Sequence, residues 1–172
     1  DTLVVFSLPW IRVGPYGQPR DGETDFAIFN RDRGMLTIEV KGGGVEIDPD
    51  SGQWTSIDRR NNRHNIKDPF EQAKREKYAL REYLAEHNTW QRMNLRPTLG
   101  HAVLFPDLED TRLLEGPNRK KAIIGSRGDV AKMAEWLDSV FSFWAGDNPA
   151  VGVGDSGLSL LERLFCQPIE VR

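Results

Sequence analysis

The stretch Gly22 to Gly44, GETDFAIFNRDRGMLTIEVKGGG, constrains the fold more than any other part of the chain. It sets Asp25 at the head of one β-rich run (25–29) and Glu39 and Lys41 at the end of a second (35–41). The polar turn Asn30-Arg31-Asp32-Arg33-Gly34 separates them, so the two runs read as an antiparallel hairpin. Period two then sends Leu36, Ile38 and Val40 to one face and Thr37, Glu39 and Lys41 to the other, with Asp25 close by on the partner strand. Ionised groups on a buried-type strand carry a desolvation cost of several kcal/mol each unless something pairs with them. A metal ion held by Asp25 and Glu39 would supply that pairing. Two carboxylates, the main-chain carbonyl of Val40 and waters make the oxygen-rich shell that suits Mg²⁺, with Mn²⁺ as a substitute. Such an ion acidifies a water and neutralises charge on a phosphate under attack, and Lys41 on the same face is placed to assist the water.

At 172 residues the chain is long enough for one domain with its own core and too short to hold an NTP-driven motor beside it. No Gly-x-x-x-x-Gly-Lys-Ser/Thr loop is present. A lone Cys166 excludes an internal disulfide framework and a cysteine-based zinc site. No apolar run reaches membrane-spanning length, and the first residues lack a signal-peptide pattern. The expectation is a soluble cytoplasmic protein with no membrane partner. Formal net charge is −3, yet Arg59 to Arg81 gathers eight basic residues against three acidic ones. Locally gathered positive charge is what a phosphate backbone needs, and Arg59, Arg60, Arg63, Lys67, Lys74 and Arg75 are the candidate contacts.

Along the chain, residues 3–6 read as a first strand and 9–23, rich in Pro, Gly and Arg, as an exposed loop. The glycines 42–44 suit either the passage of a phosphate or a bend. Residues 45–47 and 53–57 flank a Pro-Asp-Ser-Gly turn as a second hairpin, and 58–67 reads as a basic loop. Asp68-Pro69-Phe70-Glu71 starts a helix running to about Glu86, with Phe70, Ala73, Leu80 and Leu84 inward and Lys74, Arg75, Lys77 and Arg81 mostly outward. Leu99 to Phe105 is a further strand, which makes a strand-helix-strand crossover, and 122–124 is a last short one. Asp129 is the expected cap of a helix with an apolar stripe from Val130 to Trp144. His64, His87 and His101 lack ligand spacing and read as structural or surface residues. Residues 1–145 form the expected domain, and 146–172 a linker with a short helix over 158–165.

Asp25 followed by Glu39-Val40-Lys41 resembles the PD-(D/E)XK nuclease signature, and GETDF, IEVKGG and DPFEQ resemble its nuclease-related domain, or NERD, branch over roughly residues 1–145. The resemblance implies an α/β fold of restriction-endonuclease type, a mixed central sheet flanked by helices, and Mg²⁺-dependent cutting of nucleic acid, DNA first. It makes Asp25, Glu39, Lys41 and Gln72 the catalytic set, with Asp25, Glu39 and the Val40 carbonyl on the metal. It implies a helix ahead of the first strand that brings another acid, for which Glu23, two residues before Asp25, is the substitute. The Gln-x-x-x-Tyr pattern of some relatives is not kept, since Glu76 stands four residues after Gln72. A helicase following in the same chain is the partner the resemblance suggests. The alternative is a non-catalytic nucleic-acid-binding or docking module of a larger helicase or defence protein.

Overall fold

The computed structural model describes residues 1–14 and 16–167. Strands β1 (Thr2–Val13) and β2 (Pro19–Asn30) form a long antiparallel hairpin, and β3 (Gly34–Val40) adds antiparallel to β2. A separate three-stranded antiparallel sheet follows, made of β4 (Gly44–Ile47), β5 (Trp54–Ile57) and β6 (Arg63–Ile66). Helices α1 (Pro69–Glu86) and α2 (Asn88–Met93) lead into β7 (Leu99–Leu104), which runs parallel to β3. The short β8 (Ile124–Gly125) completes a five-stranded sheet of order β1-β2-β3-β7-β8. Helices α3 (Arg127–Val130), α4 (Met133–Ala145) and α5 (Gly154–Phe165) come after it. This mixed sheet between helices is the restriction-endonuclease-like α/β architecture that the resemblance implies.

Helix α1 starts where its sequence says it should. Asp68 accepts from the Phe70 and Glu71 N–H groups, and Pro69 fills the first helical position, where no N–H is needed. Thr37 Oγ1 donates to the Ala73 carbonyl at 2.9 Å, which fixes α1 on the face of β3 that carries Glu39. On the opposite face Ile38 and Val40 share an apolar cluster with Met133, Trp136 and Leu137 of α4. No helix among the described residues is long and apolar enough to cross a membrane.

Several expectations are corrected. The segment 9–23 is not a loop: β1 and β2 stay paired from Thr2↔Asn30 to Val13↔Pro19. Pro9 is tolerated because β1 is the sheet edge, and Pro19 because it is the first residue of its strand. Likewise 58–67 contains β6, paired through Ile57↔Arg63, where tertiary pairing overrides a polar composition. The strand placed at 122–124 lies two residues later, after a 3₁₀ turn at Lys121–Ile123. The helix expected from Asp129 onward is divided: Ser126 caps α3, with Asp129 accepting from the Ser126 N–H as its capping-box partner, and α4, which holds the stripe from Met133, starts after Lys132. Lys77, expected to face outward, is buried with only 5% of its surface exposed.

The tail is bound into the same core. Thr98 N–H donates to Val151 O at 2.8 Å and Gly154 N–H to Arg31 O at 2.9 Å, which ties the segment before α5 to the β2–β3 turn and the start of β7. Val153, Leu160 and Leu161 then pack with Phe29, Leu80 and Leu84. The expected helix therefore begins at Gly154, and residues 168–172 of the tail lie outside the described residues.

Candidate active site

The hairpin β2–β3 and helix α1 bring the predicted acids together. Regular pairing of β2 with β3 runs from Asn30↔Gly34 to Phe26↔Ile38 and stops there. The Asp25 carboxylate takes over, its Oδ2 accepting from the Val40 N–H at 2.8 Å. Since the N–H and C=O of one strand residue point to the same neighbour, the Val40 carbonyl is also directed to the Asp25 side, beyond the last β2 pair. Glu39 is 3% exposed, and Lys41 Nζ lies 2.5 Å from its Oε1. Lys41 itself follows the end of β3, with its N–H bonded to Leu104 O at 2.9 Å. This hydrogen bond to the parallel neighbour holds the ammonium beside the acids.

The sequence reading missed one member. Glu76 of α1 is 3% exposed, and its Oε2 is buried without a hydrogen-bond partner. Its carboxyl is pushed up to about 9, first by burial and then by the nearby charge of Glu39 and Asp25, with Lys41 opposing. Glu76 thus lies within electrostatic reach of two further carboxyl groups and one ammonium. The signal for Glu76 was in the sequence: Ala73, Glu76, Leu80 and Leu84 fall on one helical stripe, and an acid on an apolar stripe needs a reason to be there.

Beside this cluster a cavity of about 100 Å³ is lined by Glu23, Lys67, Gln72, Arg75 and Glu76. Gln72, in the first turn of α1, lines this cavity together with Glu76. Glu23 borders the same space and accepts from Ser7 Oγ at 2.6 Å. Of the expected phosphate contacts, Lys67 and Arg75 line this cavity with Glu76. The others do not line it. Arg59 and Arg60 sit in the β5–β6 turn, and Arg63 is paired with Glu46 in the second sheet. Lys74 is turned to the other flank of α1, paired with Glu71 at 3.3 Å and lining a different cavity with His101 and Lys120.

The three glycines resolve to a bend. Gly43 has φ of 78°, its N–H donates to Asp107 Oδ2 at 2.7 Å, and a Cβ there would stand 2.5 Å from the Ile57 carbonyl oxygen. They turn the chain from β3 into the second sheet at close approach to β5.

As a donor set the site fits a divalent cation. Carboxylates dominate it, one buried carboxylate oxygen lacks a partner, and the Val40 carbonyl has passed the end of the ladder. As the side chains stand, Asp25 is engaged with Val40 and Glu39 with Lys41, and among the described residues no three His, Cys, Asp or Glu side chains form a ready cage.

Compared with known proteins, the chain finds no match among curated proteins or solved structures. The family model described as nuclease-related domain, NERD, matches residues 6–106, more than half of the 172. That span holds Asp25, Glu39, Lys41, Gln72 and Glu76 together with the hairpin and helix that position them, and the chain belongs to the nuclease-related domain family.

Proposed function

We propose that this chain is a metal-dependent nuclease domain that hydrolyses phosphodiester bonds of nucleic acid, with DNA as the first substrate to test. The observation that carries the reading is the gathering of Asp25, Glu39 and Glu76 around Lys41 at the end of β3, beneath the first turns of α1. Asp25, Glu39, the Val40 carbonyl and Glu76 would hold Mg²⁺ or Mn²⁺, which supplies an acidified water and neutralises charge on the phosphate. Glu76, whose carboxyl burial pushes up to about 9, would have to lose its proton to serve as one of those donors. Lys41 is held by Glu39 within reach of the attacking water and orients it. Gln72 offers an amide to the water or to a phosphate oxygen, and Lys67 and Arg75 hold the flanking phosphates. The water oxygen bonds to phosphorus as it gives up a proton, the P–O ester bond breaks, and the leaving oxygen takes up a proton, so that one end of the cut strand has a hydroxyl and the other a phosphate.

A second reading has its own support. Asp25 spends an oxygen on the Val40 N–H and Glu39 is closed by Lys41, an arrangement that also suits a binding or docking module without turnover, attached to a helicase or defence protein. Cleavage of labelled single- and double-stranded DNA and RNA with Mg²⁺, Mn²⁺ or EDTA separates the two. Metal-dependent cutting that is lost in folded Asp25→Ala and Lys41→Ala proteins is the expected result. Salt-sensitive binding without cutting, unchanged in both variants, would establish the docking module instead.

A further inference from the structure

Above residue 26 the β1–β2 hairpin runs on without β3 beside it, so Leu8–Val13 and Pro19–Asp25 stand out past the sheet. Ser7 at the junction has φ of 56°, and the facing changes there. Below it Val5 and Ala27 meet the α1 side; above it Leu8 and Thr24 do so too, although strict alternation would turn them away. The change swings Trp10 toward α1. Its indole lies across Gly22, its partner in the register, where a Cβ would come within 2.3 Å of the ring.

Three spaces meet at this indole. One is the small cavity of about 100 Å³ beside Gln72 and Glu76. The second, about 370 Å³, is lined by Arg12, Arg20, Lys67 and Arg75. Arg12 is paired with Glu82, while Arg20, Lys67 and Arg75 make no ion pair among the described residues, so the groove has uncompensated positive charge despite Asp21. The third, about 360 Å³, is apolar and lined by Leu8, Pro9, Ile11, Thr24, Leu80 and Tyr83, with Trp10 as the wall shared with the other two.

An apolar aromatic pocket, a row of cations without ion pairs and a small cavity that ends on Glu76 of the acid cluster, all joined at one tryptophan, match the three parts of a nucleotide with its base unpaired. We propose that this is the track of a single-stranded nucleic acid: a base enters between Trp10 and Tyr83, and its phosphates cross Lys67 and Arg75 toward Gln72 and Glu76. A base inside a duplex reaches such a pocket only by leaving its stack, whereas every unpaired base has a free face for the aromatic wall. The proposal rests on the nuclease reading for which phosphate is cut, and on the cavities alone for what is bound.

Binding in EDTA keeps the two apart. Fluorescence anisotropy of labelled oligothymidylate and oligouridylate is compared with a blunt duplex of equal length, for the native chain and for Trp10→Ala, Tyr83→Ala and Arg75→Glu. Both tyrosine and arginine variants change exposed or half-exposed side chains, so they hold the test if Trp10→Ala fails to fold. The expected result is single strands bound about tenfold or more tighter than duplex, with about tenfold lost on removing either ring and a shallower salt slope for Arg75→Glu. The tighter of the two homopolymers identifies the natural strand as DNA or RNA. Equal affinity for duplex, or ring variants that bind single strands as the native chain does, would overturn the track. Single strands bound through Trp10 yet never cut with Mg²⁺ would leave the track standing and remove the nuclease reading.

Discussion

At the scale of single residues, two buried titratable groups on opposite flanks of α1 carry opposite pH signatures. Glu76 has its carboxyl raised to about 9 by burial, Glu39 and Asp25, so in the metal-free protein it contributes full stability only below its ordinary value, and that contribution is lost as pH climbs toward 9. Glu76→Gln keeps the shape without the charge. It is expected to raise the melting temperature of the EDTA-treated protein at pH 8 by about 3 °C or more, and to abolish metal-dependent cleavage, a combination that a purely structural glutamate would not give. His101 behaves the other way. It is 6% exposed, its Nδ1 lacks a partner, and its ring packs against Trp144 with centroids 4.7 Å apart. Burial, with Lys77 and Lys74 nearby, lowers its imidazole to about 3. A histidine depressed in the fold is fully stabilising above its ordinary value of 6.5, and acid removes that stability down to about pH 3. The loss runs at up to about 1.4 kcal/mol per pH unit. Urea unfolding at pH 7, 6 and 5 should show a shallower decline in His101→Gln than in the native chain. Parallel slopes would mean that His101 is hydrated and titrates freely.

At the scale of elements, what could be seen in advance depended on whether the determining contact was local. The start of α1 was legible because Asp68, Pro69 and Glu71 act on their own neighbours, and the β2–β3 hairpin because 30–34 is a turn flanked by alternating residues. The upper arm of β1–β2 was not. Pro9 and Pro19 are turn-forming residues, yet long-range pairing across the edge of a sheet holds them in strands, and Gly14 and Gly17 serve only the short turn between the two. Strand β6 was hidden similarly, since Arg63-His64-Asn65-Ile66 has one apolar residue and forms because β5 offers it a partner. In the candidate site, Asp25, Glu39 and Lys41 were marked by a motif and Gln72 by the family resemblance alone, while Glu76 could be recognised only as an acid on a buried stripe. The basic residues show the limit of charge counting. Lys67 and Arg75 line the cavity that borders Glu76 while Arg63 and Lys74 are spent on Glu46 and Glu71, and only the placement of side chains separates them.

At the scale of the whole molecule, the matched family span ends at residue 106, yet the core that supports the site continues past it. Val153, Leu160 and Leu161 are 3% exposed or less and share a cluster with Phe29, Leu80 and Leu84. Those last two lie on the stripe of α1 that also holds Glu76, so the helix that delivers Glu76 and Gln72 is seated partly by α5. Burying one such aliphatic side chain is worth about 1.5–3 kcal/mol, and three together are comparable with the total stability of a typical domain, about 5–15 kcal/mol. A chain ending at residue 145 also loses the bonds that Asn30, Arg31 and Thr98 make with 151–154. It is expected to expose the apolar face of β1, β2 and α1, bind a hydrophobic dye, and lose the cooperative unfolding transition of the longer chain. Leu160→Ala in the full chain is the graded version, with a loss of about 2–5 kcal/mol in urea unfolding and cleavage retained at temperatures where the variant stays folded. A 145-residue chain that unfolds at the same urea concentration as the full chain would show α5 to be an accessory layer, and the seat of α1 to be complete without it.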